Sequence, residues 1–418
     1  MADRVKVSPL QTPIFRAIWL ANFASNLGAM IQVVGASWAM ASMTTSPQRI
    51  ALVQSSTALP VMLLSLLGGA LADCLDRRRM MLGAQLFMLV ISMTLSLCTW
   101  QGSLTPEALL AFTFLIGSGY AINNPAYQAS VADMVPQGTL SAAIGLNSMS
   151  FNLARGVGPA LGGMIIATLG IAAAFLVNAL SFAGTIVVLS RWRPECKPAA
   201  LPRENLVRAI LAGLRYTSNT PSVLRLLLRV GLFSLTASAL PAMLPLVARD
   251  LIGGGSTTYS ILLCAFGTGS VGGAVLGVRL REHMSPEHIV RAATVSFAAG
   301  TAVAALSTFL PLALLGLLVA GSSWVACLST FNVTAQLSTP RWVVGRLLAT
   351  FMVSVFGGMA VGSWLTGVAA AQWGVSLALV AAAGMLVATI ALGFAMPLQM
   401  DENRSPVLHG ATGDDIFP

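Results

Sequence analysis

Carboxylates are scarce in this chain: 14 Asp and Glu stand against 23 Lys and Arg in 418 residues. Charged side chains make up only 9% of the sequence, far below the roughly 25% of an ordinary globular domain. With 56% hydrophobic residues and a mean hydropathy of +0.81, a water-soluble fold is excluded. Histidine is rarer still, and all three (His283, His288 and His409) fall in a connection or the tail. With no Asp, Glu or His in the middle of an apolar run, an intramembrane enzyme would have neither paired carboxylates nor metal ligands. The five cysteines, Cys74, Cys98, Cys196, Cys264 and Cys327, are odd in number and supply neither a disulfide framework nor metal spacing. No phosphate-binding P-loop occurs, so ATP hydrolysis is not expected, and no cofactor is implied. No cleavable signal peptide is evident, because the first apolar run is long and lacks a small-residue cleavage site.

What the chain does have is apolar length. A membrane-spanning helix takes about 20 apolar residues. Runs of that kind occur at 14–40, 49–72, 79–100, 106–130, 139–169 and 171–190, then at 223–248, 257–280, 289–309, 311–338, 343–371 and 374–397. They predict an all-α integral membrane protein of about twelve transmembrane helices, embedded in the lipid bilayer. The expected divisions are an N-terminal tail (1–13), a first six-helix bundle (14–190), a linker (191–222), a second bundle (223–397) and a C-terminal tail (398–418). Very short connections, such as Leu169–Gly170 and Gln372–Gly374, force neighbouring helices to pack antiparallel.

The net charge of +9 would suggest nucleic acid in a soluble protein, but its placement argues otherwise. Alternating the connections from the N-terminus puts 20 of the 23 basic residues on one side, the long middle connection with Arg225 and Arg229 included. Only Arg49 and Arg249 fall on the other side, and Arg155 alone lies deep in a span. That asymmetry is the positive-inside rule, with both termini cytoplasmic and no nucleic-acid partner. Within the linker, Leu206, Ile210, Leu211 and Leu214 stand at helical spacing. They read as an amphipathic helix on the inner leaflet, or else as part of a plain solvated linker.

The two halves repeat at a constant offset of 204 residues. Gly68-Gly69-Ala70 matches Gly272-Gly273-Ala274, Gly117-Ser118 matches Gly321-Ser322, and Pro136 matches Pro340. Gly158-x-x-Leu161-x-Gly163 matches Gly362-x-x-Leu365-x-Gly367. Two homologous six-helix bundles facing each other are the pattern of carriers with a central site at the repeat interface.

The stretch Gly69-Ala-Leu-Ala-Asp73-Cys-Leu-Asp-Arg77-Arg78-Arg79 resembles the loop 2–3 signature of the major facilitator superfamily, with Cys74 and Asp76 departing from it. Asn332-Val-Thr-Ala-Gln336, Pro340–Arg346 and Phe356–Leu365 are most similar to the branch that includes enterobactin exporter-like proteins. The resemblance implies the major facilitator fold, two pseudo-symmetric six-helix bundles. It also implies a cytoplasmic gate made of Gly69, Asp73, Arg77, Arg78 and Asp133. In that gate glycines near Gly69 let helices approach, Asp73 faces a helix N-terminus, and the arginines latch to acidic helix ends such as Asp133. The bland alternative is a topology signal made only of inner-side charge. In the second half Gly277 and Leu280 replace Asp73 and Asp76, so the gate should be asymmetric.

Gly145-x8-Ala154-x3-Gly158-Pro159-x2-Gly162 resembles the family's antiporter motif, with Ala154 in place of a glycine. In the family that pattern accompanies export by antiport; the alternative is a kinked packing helix. Arg155 reads either as an anion contact for substrate or as a structural arginine bonded to helix carbonyls or polar side chains. Asn22, Asn26, Gln32, Gln54, Asn123, Asn124, Asn152, Asn332 and Gln336 are candidates to line a central cavity with it, or to hydrogen-bond between helices. Asn147 belongs with them, and Trp38, Tyr120, Trp324 and Phe331 are candidate aromatic walls.

These observations lead to an expected secondary transporter of the bacterial inner membrane. It would be a monomer that exports a small amphipathic molecule (a siderophore, drug or secondary metabolite) by alternating access, with the coupling proton inherited from the resemblance. A lysophospholipid or nutrient carrier of the same fold, and a non-transporting sensor on this scaffold, are the rivals.

Overall fold

The computed structural model describes residues 8–193, 219–339 and 344–395; most of the linker and both tails lie outside them. So does the proposed amphipathic helix around Leu206–Leu214. The first half comprises α1 (Pro13–Met43), α2 (Pro47–Cys74), α3 (Arg77–Trp100), α4 (Pro106–Met134), α5 (Leu140–Leu169) and α6 (Ile171–Arg191). In the second, α7 (Pro221–Ala237) and α8 (Ala239–Leu246) meet at Ser238 and run into a π-helical turn, Val247–Leu251, as one broken span. α9 (Ser256–His283), α10 (Pro286–Leu306), α11 (Leu310–Leu337), α12 (Val344–Trp373) and α13 (Val375–Ala395) complete it. No strand occurs among the described residues.

Proline supplies the first residue of α1, α2, α4, α7 and α10, where its missing donor costs nothing. Asp76, Thr105 and Ser285 cap α3, α4 and α10 by accepting from the backbone N–H of Arg79, Ala108 and His288. Nine spans among the described residues are long and apolar enough to cross a membrane on composition alone. α4 and α5 are equally long, at 29 and 30 residues, but are diluted with Gly, Ser and Asn. α5 continues through Pro159 as one helix.

The repeat seen in the sequence is now visible in the helix boundaries. α5 and α12 end at 169 and 373, 204 apart. α6 and α13 begin at 171 and 375, with the same offset. The turns between them rest on Gly170 and Gly374, at φ 85° and 83°, a left-handed backbone that glycine adopts without steric cost.

Equivalent glycines also seat equivalent helix contacts. A Cβ at Gly117 would meet Thr57 O of α2, and one at Gly321 would strike Phe266 O of α9. Likewise Gly158 lies on Met30 of α1, and Gly362 lies on Leu235 O of α7. The fold is thus two pseudo-symmetric six-helix bundles in a membrane.

The structure corrects several expectations. Nothing lies within 4 Å of where a Cβ on Gly69 or Gly145 would stand, so neither glycine is there for close packing. The residue that lets α2 approach α4 is Gly68, against Ala121 O. Arg225 and Arg229, counted above with the charges of the middle connection, belong to α7, and Arg229 is buried. Arg155 is therefore not alone as a basic residue inside a span. Trp324 and Phe331 are core rather than cavity wall, packed with Phe233 and Phe297 at centroid distances of 5.8–6.4 Å.

Candidate transport cavity

The halves meet along two seams, α2 against α12 and α5 against α9. From the face that carries the α1 C-terminus inward, the seams are closed. Arg249 donates to Thr44 O at 3.1 Å and to Ala41 O, Trp38 stacks on Tyr259 at 6.1 Å, and Ser55 Oγ donates to Ala360 O at 2.8 Å. Gly163 takes the Ser260 side chain and Gly367 takes Ala51. The deepest cross-contacts are Met62 with Gly357 and Val271 with Gly156, near mid-span. Beyond them, towards the arginine-rich face, the pairs Arg77–Asp133, Arg78–Leu189, Arg281–Ser329 and Arg229–Glu287 each stay within one half.

Helix geometry identifies what faces the gap. On α5, Gly158 and Gly162 lie on α1, while Gly156 and Gly163 lie on α9. At about 100° per residue, these contacts divide the helix surface into a wide arc and a narrow one. The wide arc holds Met149, Leu153, Val157 and Met164, all exposed and apolar, as a lipid-facing surface requires. The narrow arc holds Ser148, Asn152 and Arg155, which therefore look into the space between the halves. On α2, Gln54 lies opposite the exposed Leu63 and Leu67, but at the level of Ala51 and Ser55 in the closed part of the seam. On α1, Asn22 and Asn26 share the face of Met30, which contacts α5, and point away from the residues that contact α6 (Gly28, Gly35).

These side chains differ in what they already bond. Asn22, Asn26 and Gln54 are half-buried and make no side-chain hydrogen bond among the described residues. Arg155, also half-buried, makes neither hydrogen bond nor ion pair there; its guanidinium stands 5.9 Å from the Phe266 ring centroid of α9. Asn152 spends one donor on Ser148 O at 2.9 Å.

Other candidates are engaged elsewhere. Gln32 is buried and accepts from Asn178 of α6 at 3.3 Å, and Asn123 is buried and accepts from Gln85 of α3 at 3.3 Å. Both tie helices within the first half and do not line the cavity. Asn147 accepts from the Tyr127 hydroxyl at 2.8 Å. Asn124 accepts from Gln128, and Asn332 from Gln336, as one-turn pairs on exposed stretches of α4 and α11.

At the arginine-rich face, Arg77 Nη1 lies 2.8 Å from Asp133 Oδ2, joining the start of α3 to the end of α4 within one half. Arg78 donates to Leu189 O and Ser190 O at the end of α6. The Asp73 side chain lies outside the described ones. In the second half the equivalent of Arg77, Arg281, donates to the Ser329 hydroxyl at 3.1 Å and has no carboxylate partner among the described residues.

That half has a different clamp, which the sequence reading missed. Glu287 of α10 pairs with Arg229 of α7 at 2.6 Å and with Arg291 at 2.7 Å, and Arg291 also donates to Gly393 O of α13. Gly393 and Leu189 are equivalent positions, since 189 and 393 are 204 apart. The signal was present in Leu226-Leu227-Leu228-Arg229-Val230: an arginine flanked by apolar residues on both sides is inside a span, not before it.

Comparison with known proteins now settles the family. The family described as transmembrane secretion effector matches residues 5–411. The chain belongs to that family, a branch of the major facilitator superfamily. Relatives include the enterobactin exporter EntS of Escherichia coli O1:K1 / APEC, 26% identical over 381 residues and 87% of each chain. The enterobactin exporter EntS of Citrobacter koseri is 26% identical over 373 residues, again 87% of each. Among solved structures, a bacterial homologue of the human lysosomal transporter Spinster, inward-facing and unoccupied, superposes with a TM-score of 0.74 at 15% identity, covering 93% of this chain and 97% of that one. The nucleoside transporter NupG gives 0.72 at 13% identity over 92% and 98%. At such identities the solved structures show the fold alone. The chain is a multi-pass membrane transporter of this family.

Proposed function

We propose that this protein is a secondary active exporter of the bacterial inner membrane, carrying a small amphipathic molecule outward by alternating access in exchange for protons. The observation that carries this reading is the one-sided seam: closed from the far face to mid-span, with Asn22, Asn26, Asn152 and Arg155 facing the gap on the arginine-rich side. By the positive-inside rule that side is the cytoplasm, so the cavity stands ready to load from within. The relatives named as enterobactin exporters favour an exported siderophore or similar secondary metabolite. Rocking of 14–190 against 223–397 about the α2–α12 and α5–α9 seams would expose the same residues to the other side.

The gate residues fit this cycle. Arg77 and Asp133, paired within the first half here, lie at helix ends that converge on the second half when the inner face closes. The test is transport into inverted vesicles with and without an imposed pH gradient. Siderophore uptake into those vesicles, accelerated by an acid interior, supports the reading. Transport indifferent to the gradient removes proton antiport, and uptake-dependent growth of cells on the compound reverses the direction.

A further inference from the structure

We infer that the cargo carries an anionic group that seats on Arg155, and that this pairing allows the two halves to close over it. The inference rests on the alternating-access reading above and adds the chemical class of the substrate. It begins from a missing counter-charge. Arg155 sits midway along α5, where the α5 and α9 backbones come closest: a Cβ on Gly267 would strike Arg155 O. Among the described residues its guanidinium makes no hydrogen bond or ion pair and stands 5.9 Å from the Phe266 ring centroid.

The chain itself has no carboxylate to offer at that depth. Asp73, Glu107, Asp133, Glu282 and Glu287 all stand within the first or last turn of their helices, and α1, α5, α7, α8, α11, α12 and α13 contain no acidic residue. While the cavity is open to water, an unpaired arginine there is hydrated. When the inner face closes, the same charge is sealed into a low-dielectric interior, which is costly without a partner. An incoming anion removes that cost, and the planar fork of arginine suits a carboxylate, sulfonate or phenolate. Phe266 beside it adds an aromatic face, so the fit is an anion borne on an apolar or aromatic body. An empty carrier would close reluctantly, and a loaded one readily.

Spin labels at Q128C and L337C, on exposed ends of α4 and α11, report closure of the inner face in the full-length, otherwise cysteine-free protein. Arg155→Gln is expected to raise the closed-to-open ratio of the empty protein at least tenfold, whereas Arg155→Lys stays near wild type. Naphthalene-2-sulfonate should close the wild type but leave the Arg155→Gln distribution unmoved, and its uncharged twin, naphthalene-2-sulfonamide, should do nothing. An Arg155→Gln distribution equal to wild type overturns the inference. So does a wild type unmoved by the sulfonate, or a sulfonamide as effective as the sulfonate. Arg249→Ala, which cuts a far-face contact, separates the two levels. If it shifts the distances while Arg155→Gln does not, only the anion inference fails. If it too shifts nothing, alternating access itself is in error.

Discussion

Arg249, in the π-helical turn that ends the broken seventh span, donates across the seam to the carbonyl oxygen of Thr44 at 3.1 Å. It also reaches Ala41 O, while Asp250 holds the guanidinium from behind at 2.6 Å. The carbonyls at the end of α1 have no partner within their own helix, so a guanidinium from the other half satisfies both. One of the two basic residues outside the arginine-rich side thus fastens the far face.

Removing that fastener should bias the molecule without unfolding it. Arg249→Ala is expected to raise the ratio of far-open to far-closed protein about tenfold or more, since hydrogen bonds from a charged donor contribute about 1.5–3 kcal/mol. Distances between labels at the ends of α1 and α8 would lengthen. Asp250→Asn should act in the same direction but more weakly.

The buried clamp of the second half predicts a stability effect. Glu287→Gln leaves Arg229 buried beside a neutral amide and should cost about 3–5 kcal/mol, read as a lowered Tm in detergent. Arg229→Met in the same chain should recover part of the loss, because the stranded charge is then gone. A Glu287→Gln protein as stable as wild type would show that the triad is solvated.

The pair Arg77–Asp133 should behave differently. Both side chains are about a third exposed, and such pairs contribute roughly 1 kcal/mol or less. Asp133→Asn is therefore expected to change Tm little while slowing transport several-fold, if the pair serves the conformational cycle. Exchanging the charges, Arg77→Asp with Asp133→Arg, should restore part of the rate. Equal loss of stability and transport would mark the pair as a fold element.

At the α5–α9 crossing there is no room for a side chain. Gly267→Val would push its Cβ onto Arg155 O and force the seam apart. Transport should fall by more than tenfold while membrane insertion, measured by the amount of protein in the membrane fraction, is kept. Gly272→Val, on the same helix with nothing within 4 Å, is the control and should be near neutral.

Much of this was legible in the sequence. Apolar run length gave the spans because lipid leaves the backbone no other way to satisfy its polar groups. The 204-residue register survives in helix boundaries and in the Gly158 and Gly362 contacts. The site was less legible, because polarity in a span does not say which way a side chain points. Gln32 and Asn22 both sit in α1, yet one is bonded to Asn178 and the other faces the gap. Arg229 was misplaced because charge was counted as loop, although its carboxylate partner lies 58 residues away, at the start of another helix. Gly69 looked like a packing glycine, but its neighbour Gly68 holds that position.

The central claim is that one polar gap serves both sides and stands open to the arginine-rich face. Asn152→Cys in a chain without other cysteines, challenged with a membrane-impermeant maleimide, tests it directly. Rapid labelling in inverted vesicles with little in right-side-out cells is the predicted result. Labelling only from the outside, or from neither side, would contradict it.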